Sequence, residues 1–310
     1  MQGLGLQSIS DKSFEIITVN EMQTKKNDVL VDVKATTINE QDVDLIGGSN
    51  QDVIAKALKR SDVITGLEFS GVVKKDSIKF KAGDKVIGCV DLFEGGMSHQ
   101  ETISINEKYL YKMPDKMKFS EVASMIVGLM TAIKALENLA KAKEGMRVLL
   151  NGINGSVGTM AIQLCAHLNL KVDIVSRKEY LSMFESFSYE NFYENLEDTK
   201  ERAYDIIFDV AHIWSYSTSQ EKLNDKGVYI TTNPVHDVLG YGLSLISSTK
   251  DKVLLLSKPK ESLYKRFYEL ASTGEFKAVI DSEYNLKDIK EAFTRFSKKG
   301  KFGKVVVTVP

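Results

Sequence analysis

One stretch constrains the fold of this chain more than any other: Arg147–Val175, which reads RVLLNGINGSVGTMAIQLCAHLNLKVDIV. Its outer parts, Val148–Leu150 and Val172–Val175, are apolar runs of strand length. Between them, residues 157–168 place apolar side chains at helical spacing, and a turn with Gly152, Gly155 and Gly158 links the first run to this segment. The order of strand, glycine-rich turn, helix and strand is that of the βαβ unit that binds dinucleotides.

The three glycines are predicted to have different physical roles. Gly152 can take a positive φ as the chain leaves the strand, and Gly155 lets the backbone approach a pyrophosphate. Gly158 lets the helix pack closely, so that the N–H groups of the helix start face the phosphates. The spacing is G-x-x-G-x-x-G, because Ile153 stands where the usual motif has its first glycine. A purely structural βα turn is the alternative. The candidate phosphate-binding residues are Gly152, Asn154, Gly155, Ser156, Val157 and Gly158.

The end of the second apolar run bears on which dinucleotide binds. NAD sites usually place Asp or Glu there for the ribose hydroxyls, whereas NADP sites place small polar and basic residues. This chain has Ser176, Arg177 and Lys178 at that point, and Asp173 lies inside the run. Arg177 and Lys178 can neutralise a 2′-phosphate, which favours NADPH. The alternative is that both are solvated residues at a helix start.

Composition limits the other classes of function. The 310 residues include 41 Lys and Arg and 42 Asp and Glu, so no general field attracts nucleic acid or an acidic membrane. No run approaches the roughly 18 uncharged apolar residues of a spanning helix, and residues 1–20 lack a signal-peptide core. Cys89 and Cys165 lie in apolar contexts and are predicted to be buried thiols. We therefore expect a cytoplasmic protein without nucleic-acid or membrane partners.

The rest of the chain shows two kinds of pattern. Residues 1–118 read as short strands separated by turn signals. Residues 171–257 alternate between strands and helical segments, as a parallel sheet requires. The pattern changes after Pro114, where Ser120 and Glu121 indicate a helix start. The last β-run, Gly303–Val309, is predicted to return to the first domain.

Six further motifs follow one another in a recognisable order. They are TTINEQDVDLIGG at Thr36–Gly48, GLEFSGVV at Gly66–Val73, FKAGDKVIG at Phe80–Gly88, GGMSHQETI at Gly95–Ile103, the Thr131-Ala132 helix, and KFGKVVVTV at Lys301–Val309. Together with the glycine-rich turn, they make the chain resemble the medium-chain dehydrogenase/reductase superfamily, specifically its zinc-free quinone oxidoreductase-like branch. The resemblance covers essentially the whole chain.

This resemblance implies an α/β fold with two domains. Residues 1–118 and 271–310 would form a GroES-like β-barrel domain, and residues 119–270 a Rossmann domain with a doubly wound parallel sheet. Nicotinamide and substrate would bind in the cleft between them. A homodimer through the edge of the Rossmann sheet near Val253–Leu256 is also implied.

The residue types at the positions of the family's zinc ligands indicate whether this chain can bind zinc. Zinc-dependent relatives carry a Cys and a His at positions that fall near Asn39 and at Leu67 in this chain. Glu68 is an isolated carboxylate, predicted to hold local backbone. The four histidines, His99, His167, His212 and His236, are scattered without ligand spacing. We predict no metal site.

Without zinc, the expected reaction is a reduction by NADPH, with hydride delivered to a quinone or to the β-carbon of an enone or enal. The resemblance places Asn39 and Thr131 near the nicotinamide as candidate catalytic residues; the alternatives are an Asn in a turn and an ordinary helix Thr. Tyr111 and His99 are candidate proton donors, with solvent as the alternative. The other residues implied along the cofactor are Val210, Ala211, Thr231, Thr232, Asn233 and Lys304, although Lys304 can equally be an exposed turn lysine.

Two other classes of function remain open. The bulkier residues Ile153, Asn154 and Ser156 are expected to narrow the phosphate turn, which motivates a nucleotide-binding homologue without catalysis, either a sensor or a crystallin-like structural protein. A Rossmann methyltransferase is the third class. It should have an acidic residue at the end of the second strand, where this chain has Ser176 and Arg177.

Overall fold

The computed structural model describes residues 2–8, 13–18, 27–47, 65–90, 97–232, 249–254 and 259–310. The chain divides into unit 1, residues 1–126 with 257–310, and unit 2, residues 127–256. Residues 119–126 and 257–270, which the sequence assigned to the Rossmann domain, belong to unit 1 in this division. Asn233, His236 and the segment 50–64 lie outside the described residues, as do the glycine pair 95–96 and the second half, 255–256, of the apolar run Val253–Leu256.

Helices and strands make up most of the described part of the chain. The helices are α1 (Glu40–Gly47), α2 (Phe119–Ile133), α3 (Ser156–His167), α4 (Tyr216–Ser219), α5 (Glu261–Ser272) and α6 (Ile289–Ser297). The strands are β1 (Gln2–Ser8), β2 (Ser13–Thr18), β3 (Asp28–Thr37), β4 (Glu68–Val73), β5 (Lys85–Cys89), β6 (Thr102–Asn106), β7 (Leu110–Lys112), β8 (Arg147–Asn151), β9 (Lys171–Val175), β10 (Asn191–Tyr193), β11 (Tyr204–Asp209), β12 (Leu223–Thr231), β13 (Lys250–Val253), β14 (Ile280–Asn285) and β15 (Lys304–Thr308).

Strand β3 organises unit 1. Its residues alternate between half-buried and buried, so Val29, Val31 and Val33 point into the core. One edge of β3 pairs with β4, and the other pairs with β6 and then with β15. The sheet runs β14-β15-β3-β4-β5-β7, with β6 on β3, and β14 and β15 are its parallel pair. The predicted return of Gly303–Val309 to the first domain is confirmed, because β15 lies against β3.

Unit 2 is a parallel sheet in the order β10-β9-β8-β11-β12-β13. Counted within the unit this is 3-2-1-4-5-6, the doubly wound Rossmann order. The order reverses between β8 and β11, so ligands are expected outside the carboxyl ends of these strands. Sequence and structure agree here because β8, β9 and β11 are buried apolar runs, as strands covered on both faces must be.

The most apolar helical segment is α2 with its π-helical continuation, Lys134–Leu139. By length and composition this segment, Phe119–Leu139, is apolar enough to cross a membrane, with a mean hydropathy of 1.5 over its best window. Glu121, Lys134 and Glu137 interrupt this segment, so the expectation that no uncharged apolar run of spanning length exists is not contradicted. In addition, 72% of that window is buried inside the protein, which is typical of the core helix of a globular protein.

Candidate cofactor and active site

The turn after β8 has the backbone geometry that its glycines predict. Gly152 takes φ +81°, and a Cβ there would lie 2.7 Å from the backbone nitrogen of Ala211. A Cβ on Gly158 would lie 2.3 Å from the Cα of Ile153. Any side chain at Gly152 or Gly158 would therefore force the turn away from the start of α3 or from the loop after β11.

Gly155 differs from the other two because the space beside it is open. It is the N-cap of α3 with φ −95°, and among the described residues no side chain caps the helix there and no atom lies within 4 Å of an added Cβ. The first-turn N–H groups of α3 therefore provide a place for an anion. Ile153 is only 1% exposed, so its side chain does not obstruct the open side of the turn, contrary to the expectation. Asn154, Ser156 and Val157 stay at the turn and the helix start.

At the end of β9, the basic residues are exposed and Asp173 is not. Arg177 binds Glu179 at 3.0 Å and the Tyr180 hydroxyl at 3.0 Å, and its guanidinium lies over the Tyr180 ring. An exposed pair such as Arg177–Glu179 is worth little, so a phosphate can replace the carboxylate at small cost. Asp173 is fully buried and bound by Arg147, Asn191 and Tyr204, and it is therefore a structural residue. Ser176 and Lys178 flank Arg177 at the strand end.

At the switch between β8 and β11, Asp209 holds the loop that follows β11. Its buried carboxylate accepts from Asn151 Nδ2 at 2.8 Å, from the Trp214 backbone N–H at 2.9 Å and from the Tyr229 hydroxyl at 3.0 Å. The Val210 N–H also donates to the Asn151 carbonyl. Burial is the largest cause that raises the pKa of Tyr229, followed by the charge of Asp209. Val210 and Ala211 thus lie on a fixed loop beside the glycine-rich turn.

The sequence did not single out His212 on this loop. Its imidazole Nε2 lies 3.0 Å from the Thr232 hydroxyl, and its Nδ1 lies 3.5 Å from the Thr231 hydroxyl. Thr231 and Thr232, which the sequence did predict, therefore share the carboxyl edge of β12 with a titratable ring. The sequence signal that could have identified His212 was a polar residue just beyond the end of a buried strand.

Thr131, the predicted residue on α2, is buried, with 3% of its surface exposed.

In unit 1, Asn39, Glu68 and Lys304 form one buried cluster. Lys304 Nζ lies 2.7 Å from Glu68 Oε1 and 2.6 Å from Asn39 Oδ1. The Thr37 hydroxyl donates to the same Glu68 oxygen at 2.6 Å. Lys304 is 5% exposed within β15, so the alternative of an exposed turn lysine is wrong. The carboxylate of Glu68 therefore binds three side chains in this cluster, and its expected role of holding local backbone stays a prediction.

The amide of Asn39 is already engaged within this cluster. Its Nδ2 donates to Glu68 Oε1 at 3.2 Å and to Thr37 Oγ1 at 3.3 Å. Its backbone N–H donates to Asp42 at 2.8 Å. Burial raises the pKa of Asp42, while the charge of His99 and the N–H groups of Asn39 and Gly66 oppose that rise. Asn39 is therefore positioned from several sides, and both of its amide hydrogens point into the protein.

The two candidate proton donors lie in structural settings. His99 is fully buried, with Nδ1 2.7 Å from the Thr65 hydroxyl and Nε2 2.9 Å from the Thr37 carbonyl. Tyr111 stacks on Tyr264 with ring centroids 6.2 Å apart. Neither geometry indicates a group that transfers a proton to a ligand.

The residues at the expected zinc position do not suit a metal ion. Among the described residues, no group of three or more His, Cys, Asp or Glu side chains can hold one. Glu68 and Asn39 are both bound to the Lys304 ammonium, and a second cation there would be repelled by it. Cys89 and Cys165 are buried, and burial raises the pKa of the Cys165 thiol, which disfavours the thiolate form that a metal would bind.

Two family models match the chain. The alcohol dehydrogenase GroES-like domain matches residues 25–115, which confirms the predicted class of the first domain. The model described as zinc-binding dehydrogenase matches residues 184–307. The second description refers to the family and is not supported by the side chains around Glu68.

Known proteins resemble the chain over most of its length. A zinc-type alcohol dehydrogenase-like protein of Schizosaccharomyces pombe is 28% identical, covering 90% of this chain and 86% of the relative. A chloroplast envelope quinone oxidoreductase homologue of Arabidopsis thaliana is 24% identical, covering 91% and 90%. The solved quinone oxidoreductase of Coxiella burnetii has the same fold, with a TM-score of 0.88 at 21% identity over 100% and 99% of the two chains. Together, the two family models and these relatives support a quinone oxidoreductase-like protein of the medium-chain dehydrogenase/reductase superfamily.

Proposed function

We propose that the protein is a zinc-independent, NADPH-dependent oxidoreductase that transfers hydride to a quinone or to an α,β-unsaturated carbonyl. The observation that carries this proposal is the glycine-rich turn, in which Gly155 leaves open space in front of an uncapped helix start. The α3 N–H groups suit a pyrophosphate because they are fixed donors at the positive end of the helix dipole. Ile153 is buried, which removes one of the three bulkier residues expected to narrow the turn, whereas Asn154 and Ser156 stay half-buried at the turn and keep the non-catalytic homologue as the alternative.

The preference for NADPH is supported by the end of β9. Ser176, Arg177 and Lys178 offer a hydroxyl and two cations, and the nearest carboxylate inside the strand, Asp173, is bound by its own partners. An acid positioned for the ribose hydroxyls, as NAD requires, is therefore missing at residues 176–178, and a 2′-phosphate would meet complementary charge.

The proposed acceptor is one that needs no metal, and the cluster around Lys304 supports this choice, because Glu68 and Asn39 are already bound to an ammonium. Bound NADPH supplies a hydride for an electron-poor carbon. A quinone or enone accepts it without a metal, because conjugation moves the electron pair onto its oxygen. Asn39 and Thr131 remain the proposed catalytic residues near the nicotinamide. For Asn39, donation to that oxygen requires its amide to release Glu68 or Thr37, so its primary effect is to fix the local geometry.

Cofactor binding is the first test. NADPH and NADH are titrated into the protein while nicotinamide fluorescence is followed, with the Arg177→Ala/Lys178→Ala variant alongside. The matched control is Lys298→Ala/Lys299→Ala, which removes the same charge from two exposed lysines of unit 1. We expect the first variant to lose roughly 1–3 kcal/mol of NADPH affinity with little change for NADH, and the control to bind as wild type. Equal losses for both nucleotides would contradict the 2′-phosphate assignment.

Turnover with a panel of quinones, enones and enals then tests the reaction. NADPH oxidation that depends on one of these acceptors supports the reductase, and it should be unaffected by a chelator. Tight NADPH binding without turnover on any acceptor would instead favour a non-catalytic binding protein. We also propose a cytoplasmic homodimer formed through β13, the last strand of the unit 2 sheet, which light scattering on the purified protein tests.

A further inference from the structure

His212 lies where the second half of a dinucleotide is expected in unit 2. The pyrophosphate belongs at the start of α3, after β8, and the adenosine ribose belongs at the end of β9. An extended dinucleotide that runs in this direction must place its other nucleoside on the opposite side of β8. In this sheet, β11 and then β12 stand on that side, and His212 joins their carboxyl ends.

The backbone at His212 is held in an uncommon conformation. Its φ is +58°, in the left-handed region that is unfavourable for a residue with a side chain and that Gly or Asn takes more readily. The loop is fixed on both sides of this residue: the Val210 N–H binds the Asn151 carbonyl, and the Trp214 N–H binds Asp209. Residues kept in such conformations by their surroundings occur preferentially at functional sites.

The side chain at this position is chemically suited to a nucleoside. The imidazole of His212 is half-buried and lies beside the hydroxyls of Thr231 and Thr232. This group of one ring and two hydroxyls offers donors and acceptors in a small space, which matches a ribose diol or a carboxamide. None of these residues belongs to the phosphate turn or to the basic end of β9.

We infer that His212 binds the nicotinamide nucleoside of the cofactor through its imidazole, with Thr232 orienting the ring. This inference rests on the proposed function, because it requires a nicotinamide dinucleotide on the carboxyl edge of unit 2. It adds a residue that neither the glycine-rich turn nor the resemblance to the family identifies.

The test compares two ligands and two variants in isothermal titration calorimetry. NADPH contains the nicotinamide nucleoside, and adenosine 2′,5′-bisphosphate lacks it. His212→Gly keeps the left-handed backbone and removes the ring. His212→Asn also tolerates this backbone but keeps an amide that can donate and accept. We expect His212→Gly to weaken NADPH binding about five- to tenfold, His212→Asn to restore part of that loss, and both to bind the bisphosphate within about twofold of wild type.

Each outcome bears on the inference. Unchanged NADPH affinity in His212→Gly overturns it, because the imidazole then contributes nothing. Equal losses for both ligands also overturn it, since they indicate general damage to the fold. If wild-type protein binds neither ligand, the proposed function fails together with the inference, whereas a normal wild type with indifferent variants refutes the role of His212 alone.

Discussion

Replacing Glu68 with Gln should destabilise unit 1 strongly, because it leaves the Lys304 ammonium buried without its countercharge. Glu68 is 0% exposed and Lys304 is 5% exposed, and their charged atoms are 2.7 Å apart. Removing one member of such a pair typically costs about 3–5 kcal/mol. The variant keeps the Asn39 carbonyl as an acceptor for Lys304, and Asp42 supplies a further attraction, so we expect about 3 kcal/mol.

Urea denaturation of the full chain measures this loss as a shift of the midpoint at unchanged slope. Hydrogen exchange read out by mass spectrometry then locates it, and peptides from β3, β4 and β15 should lose protection first. The matched control is Glu261→Gln, which removes an exposed carboxylate 3.9 Å from Lys79. This control should leave the midpoint where it is, because exposed pairs contribute little.

The double variant Glu68→Gln/Lys304→Met separates the ion pair from simple loss of packing. If the buried charges interact as the 2.7 Å distance indicates, the double variant should be less unstable than the sum of the two single variants by at least about 1 kcal/mol. Additive effects within about 0.3 kcal/mol, or a Glu68→Gln cost no larger than that of Glu261→Gln, would refute the reasoning.

Three other predictions concern single residues. Gly155→Ala should weaken NADPH binding in fluorescence titration without lowering the melting temperature, because its Cβ meets no atom of the described residues within 4 Å. Gly158→Ala should instead lower the melting temperature, because its Cβ would lie 2.3 Å from the Ile153 Cα. Asp173→Asn should lower the urea midpoint, since Arg147 and Tyr204 lose a fully buried carboxylate. Burial, and then the charge of Lys304, lower the pKa of Lys301 to about 8. The free energy of unfolding of the wild type should therefore rise between pH 8 and 10.5, because Lys301 releases its proton at a lower pH in the folded state than in the unfolded state. Lys301→Met should be more stable than the wild type at pH 7 in urea unfolding, and it should lose that advantage by pH 10.5.

Each of these three predictions can be contradicted by a single result. A lower melting temperature in Gly155→Ala would mean that the space beside the turn is needed by the protein itself. An unchanged midpoint in Asp173→Asn would show that its partners do not depend on its charge. For Lys301, the Phe296 ring, with its centroid 3.3 Å from the ammonium, favours the charged form and opposes the lowering of the pKa. A pH-independent difference between wild type and Lys301→Met would show that this contact prevails.

Much of the fold could be predicted because its signals are local. The apolar runs of β8, β9, β11 and β12 and the helical period of α3 each lie within a short window, and buried strands of this length are recognisable from their residues alone. The short strands β7 and β10, of three residues each, were missed because so few positions carry no period. The boundary of unit 2 was also displaced, because α2 runs through it without a break.

The site was predicted unevenly for the same reason. The roles of Gly152 and Gly158 depend on the backbone geometry of the turn, and glycines at the spacing G-x-x-G-x-x-G already indicate that geometry. His212 carried no such signal, because a positive φ at a residue other than glycine is imposed by the contacts of its loop. The surroundings of Lys304 were equally out of reach, since its bond to Asn39 joins residues 265 positions apart.

The sequence by itself determined the βαβ unit, the Rossmann strand order that begins with this unit, and the position of polar and basic residues at the end of β9. These depend on covalent neighbours, whose spacing is the same in any conformation. Only the tertiary structure decided that Ile153 is buried, that Asn39 faces Glu68 and Thr37, and that Lys304 is part of a buried ion pair. Whether a side chain is buried and which partner it binds depend on strands that meet only after the chain has folded, and this pairing is what fixes the chemistry available to each residue.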